Sequence, residues 1–303
     1  MVSRRAVLGG GVAGLGLLAV GGVGLVGAGV LPGQHKMRRA LGACDVYVSE
    51  PRSAAGELIR GEFRSARRRA VVRYRIAYPP GARDDDQLPV CLVLHGFGGD
   101  EGVLGDGIAL PRYLADVVAD GVPPFVLAAA DGGPRYWHPR ADGDDPLGML
   151  TDEFLPLLVG RGLEAGAGQR IGLLGYSMGG YGALLFAELY PTRVAAVAAG
   201  SPAIWRDYAE ARQASVDAFD SAADWSRYDV LSRGSALAGM PVRVDYGRDD
   251  FIAPNMPALR DVLPAEATVR QAAGCHDDTF WRSVAPEVLT FIGRTFAEVP
   301  MSP

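Results

Sequence analysis

A single lysine, Lys36, stands among the 30 basic residues of this 303-residue chain, and the remainder are arginine. That scarcity reads as a composition bias and carries no functional signal. Only three cysteines are present, Cys44, Cys91 and Cys275, with no C-x-x-C spacing. An odd number so spaced points to neither a disulfide framework nor a zinc knuckle. Cys91 falls in an apolar strand pattern and is expected to be buried. Net positive charge is also missing: the chain is −5 overall. Residues 1–43 carry five basic and no acidic side chains, so the remainder stands at −10. An acidic main domain argues against a nucleic-acid partner. Arg64, Arg67, Arg68 and Arg69 form the one basic cluster of that domain, read as a solvated hairpin turn rather than an anionic-surface contact. Internal repeats and low-complexity tracts are absent after Gly42. With 49% apolar residues, disorder is excluded and a sizeable α/β core is expected.

Residues 1–43 read as a separate unit. Behind Ser3, Arg4 and Arg5 come 26 uncharged residues, Ala6 to Leu31, ten of them glycine. The length could span a bilayer, which takes about 20 residues. The weak hydrophobicity behind paired arginines fits a twin-arginine export signal or an N-terminal membrane anchor. The basic flank from His35 to Arg39 runs against an exported side under the positive-inside bias, which leaves a cytoplasmic-facing anchored form as runner-up. "LGAC", ending at Cys44, has the form of a lipoprotein acylation box but lies well past the apolar run. The expected location is extracytoplasmic, secreted or anchored to the cell membrane.

Residues 44–303 are expected to form one catalytic domain. Leu58 to Arg64 and Val72 to Tyr78 alternate apolar and polar residues, the period of half-buried strands. Short apolar runs then alternate with helical stretches: "VCLVLHG" at Val90, "FVLAAA" at Phe125, "IGLLGYS" at Ile171, "VAAVAAG" at Val194, "VRVDYG" at Val242 and "TVRQAAG" at Thr268. This predicts an α/β fold with a mostly parallel sheet covered by helices on both faces. Asp145 and Pro146 mark an N-cap and first helical position. Residues 201–239, with Trp205, Tyr208, Phe219, Trp225 and Tyr228, read as an insertion that could form a lid or pocket wall.

"GYSMGG", Gly175 to Gly180, fits G-x-S-x-G between an apolar strand and a helix. The bare pattern is weak in a chain with 41 glycines; the strand-to-helix context gives it weight. A turn there strains the backbone, exposes the serine Oγ and needs small residues at Gly175 and Gly179. A serine hydroxyl is a poor nucleophile at neutral pH and requires a base, itself oriented by a carboxylate. In this arrangement the order is Ser, acid, His. Asp250 follows Gly247 by three residues at a strand's C-terminal end, with Asp249 as competitor. Of four histidines, His35 lies in the targeting region. His95 ends a strand and reads as loop-orienting. His138 precedes the serine and is left as a possible substrate contact. His276 remains as the base. Two N–H donors are needed for an oxyanion hole: Met178 after the nucleophile, and Phe97, or alternatively Gly98, in "HGFGG".

The stretch "GCHDDTFW", Gly274 to Trp281, places four potential ligands side by side. Neighbours on one loop cannot all converge on one ion, and tetrahedral sites draw ligands at wider spacing. "HPRADGDD", from His138, lacks calcium-loop spacing and reads as an acidic turn before a helix. No metal is expected. Asp277 or Asp278 is expected to cap the helix carrying Phe280, Trp281 and Val284, with Cys275 packed nearby. Trp137, Trp205 and Trp281 are candidate substrate-pocket walls.

These motifs, with "GEFRS", "YPPG", "LHGFGG", "DGGPRYW", "MLTDEFLPLL" and "GRDD", resemble the esterase D family of α/β hydrolases from about Gly56 to Ala297. That family includes S-formylglutathione hydrolases, feruloyl esterases and secreted mycolyltransferases. The resemblance implies the α/β-hydrolase fold and serine carboxylic-ester hydrolysis without metal or organic cofactor. It also implies Ser177 as nucleophile, Asp250 as acid, His276 as base and Phe97 with Met178 as oxyanion donors. The expected partner is an acyl ester, with lipid and cell-envelope esters among the candidates. Two alternatives stay open: a mycolyltransferase-like acyltransferase using the same three side chains, although "HGFGG" departs from that branch, and a non-catalytic surface protein.

Overall fold

The computed structural model describes residues 42, 44–83 and 86–298. The chain divides into two compact units, Met1–Asp45 and Val46–Pro303. The export-signal, anchor and His35 readings fall on residues outside those described. Among the described residues, no helix is long and apolar enough to cross a membrane.

The second unit is built on one eight-stranded sheet. Its strands are β1 (Leu58–Ser65), β2 (Ala70–Ala77), β3 (Val90–Leu94), β4 (Val126–Ala130), β5 (Ile171–Tyr176), β6 (Val194–Gly200), β7 (Val242–Gly247) and β8 (Thr268–Ala272). Their spatial order is β1-β2-β4-β3-β5-β6-β7-β8. β1 and β2 form an antiparallel hairpin, and β2 runs antiparallel to β4. From β4 through β8 every pairing is parallel. A parallel sheet needs crossover helices, and these cover both faces.

The helices, in chain order, are α1 (Leu110–Ala119), α2 (Pro146–Met149), α3 (Leu155–Gly160), α4 (Met178–Leu189), α5 (Tyr208–Ala214), α6 (Ala222–Tyr228), α7 (Met256–Val262) and α8 (Asp278–Glu298). A π-helical turn, Leu150–Phe154, joins α2 to α3. Asp145 caps α2 by accepting from Gly148 N at 2.7 Å, with Pro146 next. The sheet's two faces carry two cores, and the strands' period of two sorts residues between them. Leu92 and Leu94 face a core shared with α2 to α4 and α7. Cys91 and Val93 face a second core built with α1 and α8. The central strands are buried at every position, so they read as continuous apolar runs rather than alternating ones.

The arginine cluster is only partly solvated. Arg67 pairs with Asp152, and Arg68 pairs with Asp144 while donating to Asp131 O at 2.7 Å. Arg69 donates to Asp142 O at 3.1 Å. The acidic turn after His138 is thus the counter-surface of the β1–β2 hairpin. The cysteine expectation needs correction as well. Cys275 is disulfide-bonded, as is Cys44, whereas Cys91 is free and buried.

Candidate active site

Three parallel strands end along one edge of the sheet, where ligands bind in open α/β folds. At the end of β5 the chain turns sharply into α4. Ser177 occupies that turn with φ 55° and ψ −118°, a region costly for any side chain and one where strain marks functional turns. Backbone hydrogen bonds hold it from both sides. Its N–H donates to Gly200 O at 2.9 Å, and its carbonyl accepts from Tyr181 N at 3.1 Å and Ala203 N at 3.0 Å. The small neighbours are obligatory. A Cβ on Gly175 would sit 2.0 Å from Gly179 O, and one on Gly179 would sit 1.9 Å from Leu94 O.

Past β7, Asp250 is buried at 4% exposure. Past β8, the backbone crosses close to β7, where a Cβ on Gly247 would lie 2.4 Å from Gly274 O. That approach delivers His276 to the acid: its Nδ1 lies 2.9 Å from Asp250 Oδ1 and 3.0 Å from Oδ2. Its Nε2 is 2.8 Å from Ser177 Oγ. With the Nδ1 proton directed at the carboxylate, Nε2 is left as acceptor for the serine hydroxyl. Asp250 is fixed in turn, because Oδ1 also accepts from Ile252 N at 3.0 Å. Asp249 instead sends its N–H to Gly274 O at 2.9 Å, bracing the β8 loop. The spacing argument and the geometry therefore single out the same aspartate.

Two backbone segments flank the serine. Met178 is the first residue of α4, so its N–H has no intrahelical acceptor. Gly96 to Gly99 form a turn closed by Gly99 N donating to Gly96 O at 3.0 Å, with Gly98 at φ +76°. Phe97 is its second residue. The turn overhangs the serine: a Cβ on Gly96 would lie 3.4 Å from Ser177 Cβ. His95 orients this loop, since its Nε2 accepts from Gly132 N at 2.9 Å and its Nδ1 lies 2.9 Å from Gly96 O. Burial holds its pKa below the usual histidine value, which keeps Nε2 available as an acceptor.

A cavity of about 370 Å³ opens in front of Ser177 and His276. Trp281 lines it, with its ring 5.3 Å from that of His276 and its Nε1 donating to Ser201 Oγ at 3.2 Å. Phe251, half exposed, covers the other side of the imidazole at 4.4 Å between ring centres. The other two tryptophans need correction, for neither lines this cavity. Trp137 is 0% exposed, donates from Nε1 to His95 O at 3.2 Å and packs where a Cβ on Gly182 would reach. Trp205 is buried in the core around the insertion. His138 is no substrate contact either. It is fully buried, stacked on Phe219 at 5.0 Å and Tyr228 at 4.7 Å, with Nε2 3.0 Å from Ala218 O. It ties the 201–239 segment down.

Asp277 is the helix cap, accepting from Phe280 N at 3.1 Å. Asp278 instead lines the cavity, together with Tyr176. Sequence reasoning left the cap open between Asp277 and Asp278, since nothing in two adjacent aspartates tells which one the helix takes, and it assigned neither Asp278 nor Tyr176 to the cavity. Among the described residues no cluster of side chains could hold a metal ion.

No curated protein sequence matches this chain. Solved structures match its fold. A ferulic acid esterase aligns with TM-score 0.66 at 22% identity over 79% of this chain and 98% of its own. An S-formylglutathione hydrolase from Agrobacterium tumefaciens gives 0.66 at 17%, covering 82% and 99%. The fluorophosphonate-binding serine hydrolase F of Staphylococcus aureus gives 0.64 at 14%, covering 79% and 99%. At such identities the likeness establishes the α/β-hydrolase fold. The sequence profile of the Esterase family matches residues 69–260, a span that includes Ser177 and Asp250, and the chain therefore belongs to that family of carboxylic ester hydrolases.

Proposed function

We propose that this esterase acts through an acyl-enzyme on Ser177, with His276 as general base and then general acid and Asp250 as the orienting carboxylate. The observation that carries the reading is the unbroken relay from Ser177 Oγ to His276 Nε2 at 2.8 Å and from His276 Nδ1 to Asp250 at 2.9 Å. Ser177 attacks the ester carbonyl while its proton passes to Nε2; collapse of the tetrahedral adduct returns that proton to the leaving alkoxide. Water activated by the same nitrogen then releases the acid. Met178 N–H and Phe97 N–H are the proposed donors to the oxyanion, each worth roughly 10²–10³ in rate. A rapid-mixing burst of alcohol product, equal to the enzyme concentration and lost in Ser177→Ala, is the expected result with an activated ester. Turnover undiminished in Ser177→Ala would refute the assignment.

We also propose that the enzyme works outside the cytoplasm, exported or anchored by residues 1–43. The paired Arg4 and Arg5 before a weak apolar run support this, as do the disulfide-bonded Cys44 and Cys275, because disulfides persist in oxidising compartments. Replacing both arginines with lysine should strand the protein in the cytoplasm; export at the wild-type level would count against the twin-arginine route.

A further inference from the structure

The cavity before Ser177 holds two carboxylates that differ in how they are engaged. Asp100 is committed: Oδ1 accepts from Gly102 N at 2.7 Å, and Oδ2 faces Arg73 Nη2 at 3.0 Å. Asp278 has no hydrogen bond or ion pair with any described residue, although it stands among well-paired neighbours. Asp277 has taken the capping position, and Arg282 Nη2 donates to Glu50 Oε2 at 2.7 Å. The Asp278 carboxylate reaches across the cavity toward Gly107, where an added Cβ would come within 3.1 Å of Oδ2. Loss of hydration and the adjacent Asp277 push its pKa above the usual aspartate value.

A second group in the same wall is also unsatisfied. The phenol oxygen of Tyr176 is buried without a hydrogen-bond partner among the described residues, and Tyr176 lines this cavity at 1% exposure. Among the described residues no lysine or arginine lines the cavity. Its two imidazoles are already engaged, His95 by Gly132 and His276 by the serine and Asp250. The pocket that receives part of the ester therefore offers an open acceptor and, among the described residues, no lining cation to neutralise an anionic substrate.

We propose that Asp278 is a specificity-determining residue: it accepts a hydrogen bond from a hydroxyl or ammonium group on the part of the ester that enters the cavity, and it repels esters carrying a carboxylate or phosphate there. This rests on the serine-esterase reading and adds a substrate class to it. The carboxylate plays no part in bond making; it contributes differential binding between substrates that share one scissile bond.

The test uses two matched series, methyl 3-arylpropanoates for the acyl side and benzyl acetates for the alcohol side. Each carries methyl, hydroxyl, aminomethyl or carboxyl at the ring's para position. In one series, wild-type kcat/KM should favour aminomethyl and hydroxyl over carboxyl by about tenfold, the size expected of one carboxylate a few ångströms from the substrate's charge at the edge of solvent. Asp278→Asn should shrink the aminomethyl-to-carboxyl ratio about tenfold. A gain confined to aminomethyl identifies the natural group as a cation, and a gain shared with hydroxyl identifies it as a neutral donor. The ratio ignores any uniform change in the triad. An unchanged ratio in both series, with esters still hydrolysed, overturns the Asp278 assignment alone. No hydrolysis of any ester, with no acylation of Ser177, overturns the esterase reading and the Asp278 proposal together.

Discussion

Adjacent residues in this site have different duties, and the division is steric. Asp250 reaches His276 because its backbone N–H bonds to Gly247 O at 3.3 Å, which turns its side chain inward, while Asp249 faces the β8 loop. Asp250→Asn should therefore lower kcat by roughly 10⁴-fold by removing the acceptor that sets the imidazole tautomer. Asp249→Asn should cost little in kcat, and steady-state kinetics on the two variants checks the pair. Ser177 and His276 were legible in the sequence, one by its strand-to-helix context and the other by elimination among four histidines. Asp250 was legible through its spacing from a strand-ending glycine. Trp137 and Trp205 were misplaced as pocket walls because burial of an aromatic ring depends on tertiary neighbours such as Gly182, whose missing side chain gives Trp137 its space. Asp278 was illegible for a related reason, since the first turn of α8 decides which aspartate caps.

At the scale of the element, the β5–α4 turn stores strain to present its serine. Ser177 lies at a positive φ that glycine adopts freely and L-residues avoid. Ser177→Ala and Ser177→Gly both remove the hydroxyl and its bond to His276, but only the glycine variant relaxes the backbone. Denaturant unfolding should find Ser177→Gly more stable than Ser177→Ala by about 1–2 kcal/mol, against the usual order in which glycine is the less stable by about 0.5–1 kcal/mol. Equal stability, or the usual order, would mean that the turn is unstrained. The apolar runs of β3 to β7 announced buried parallel strands, and "YPPG" marked the end of β2. The 201–239 insertion was visible as irregular sequence. Its anchoring was not, because it depends on His138 bonding across 80 residues of sequence to Ala218 O and stacking on Phe219 and Tyr228. The hairpin arginines were likewise read as solvated because their acidic partners lie more than 70 residues away.

Over the whole molecule, the most consequential buried carboxyl group lies away from the catalytic edge. Glu188, in α4, is 7% exposed, and its Oε2 has no hydrogen-bond partner among the described residues. Burial, first, and the nearby Asp229 push its pKa up to about 9 from a usual 4.5, despite Arg233. The folded state thus retains a proton that the unfolded state releases. The stability this contributes is fully present below pH 4.5 and is lost progressively as the pH rises to about 9. Thermal melts from pH 5 to pH 9 should show a decline in wild type that is visibly flatter in Glu188→Gln; parallel curves would contradict it. The sequence did not reveal the disulfide-bonded state of Cys44 and Cys275, because three cysteines without close spacing give no pairing signal. It did reveal a mostly parallel α/β sheet, since apolar strand runs alternate with helical stretches, and the resemblance to the esterase D family implied the α/β-hydrolase form of it.

The central claim is that Ser177 is the nucleophile, and covalent trapping tests it most directly. Incubation of the enzyme with a fluorophosphonate, followed by peptide mass mapping, should find one phosphonyl group per chain on the peptide containing Ser177, and none in Ser177→Ala. Trapping on a different serine, or no trapping of active wild-type enzyme, would contradict the account.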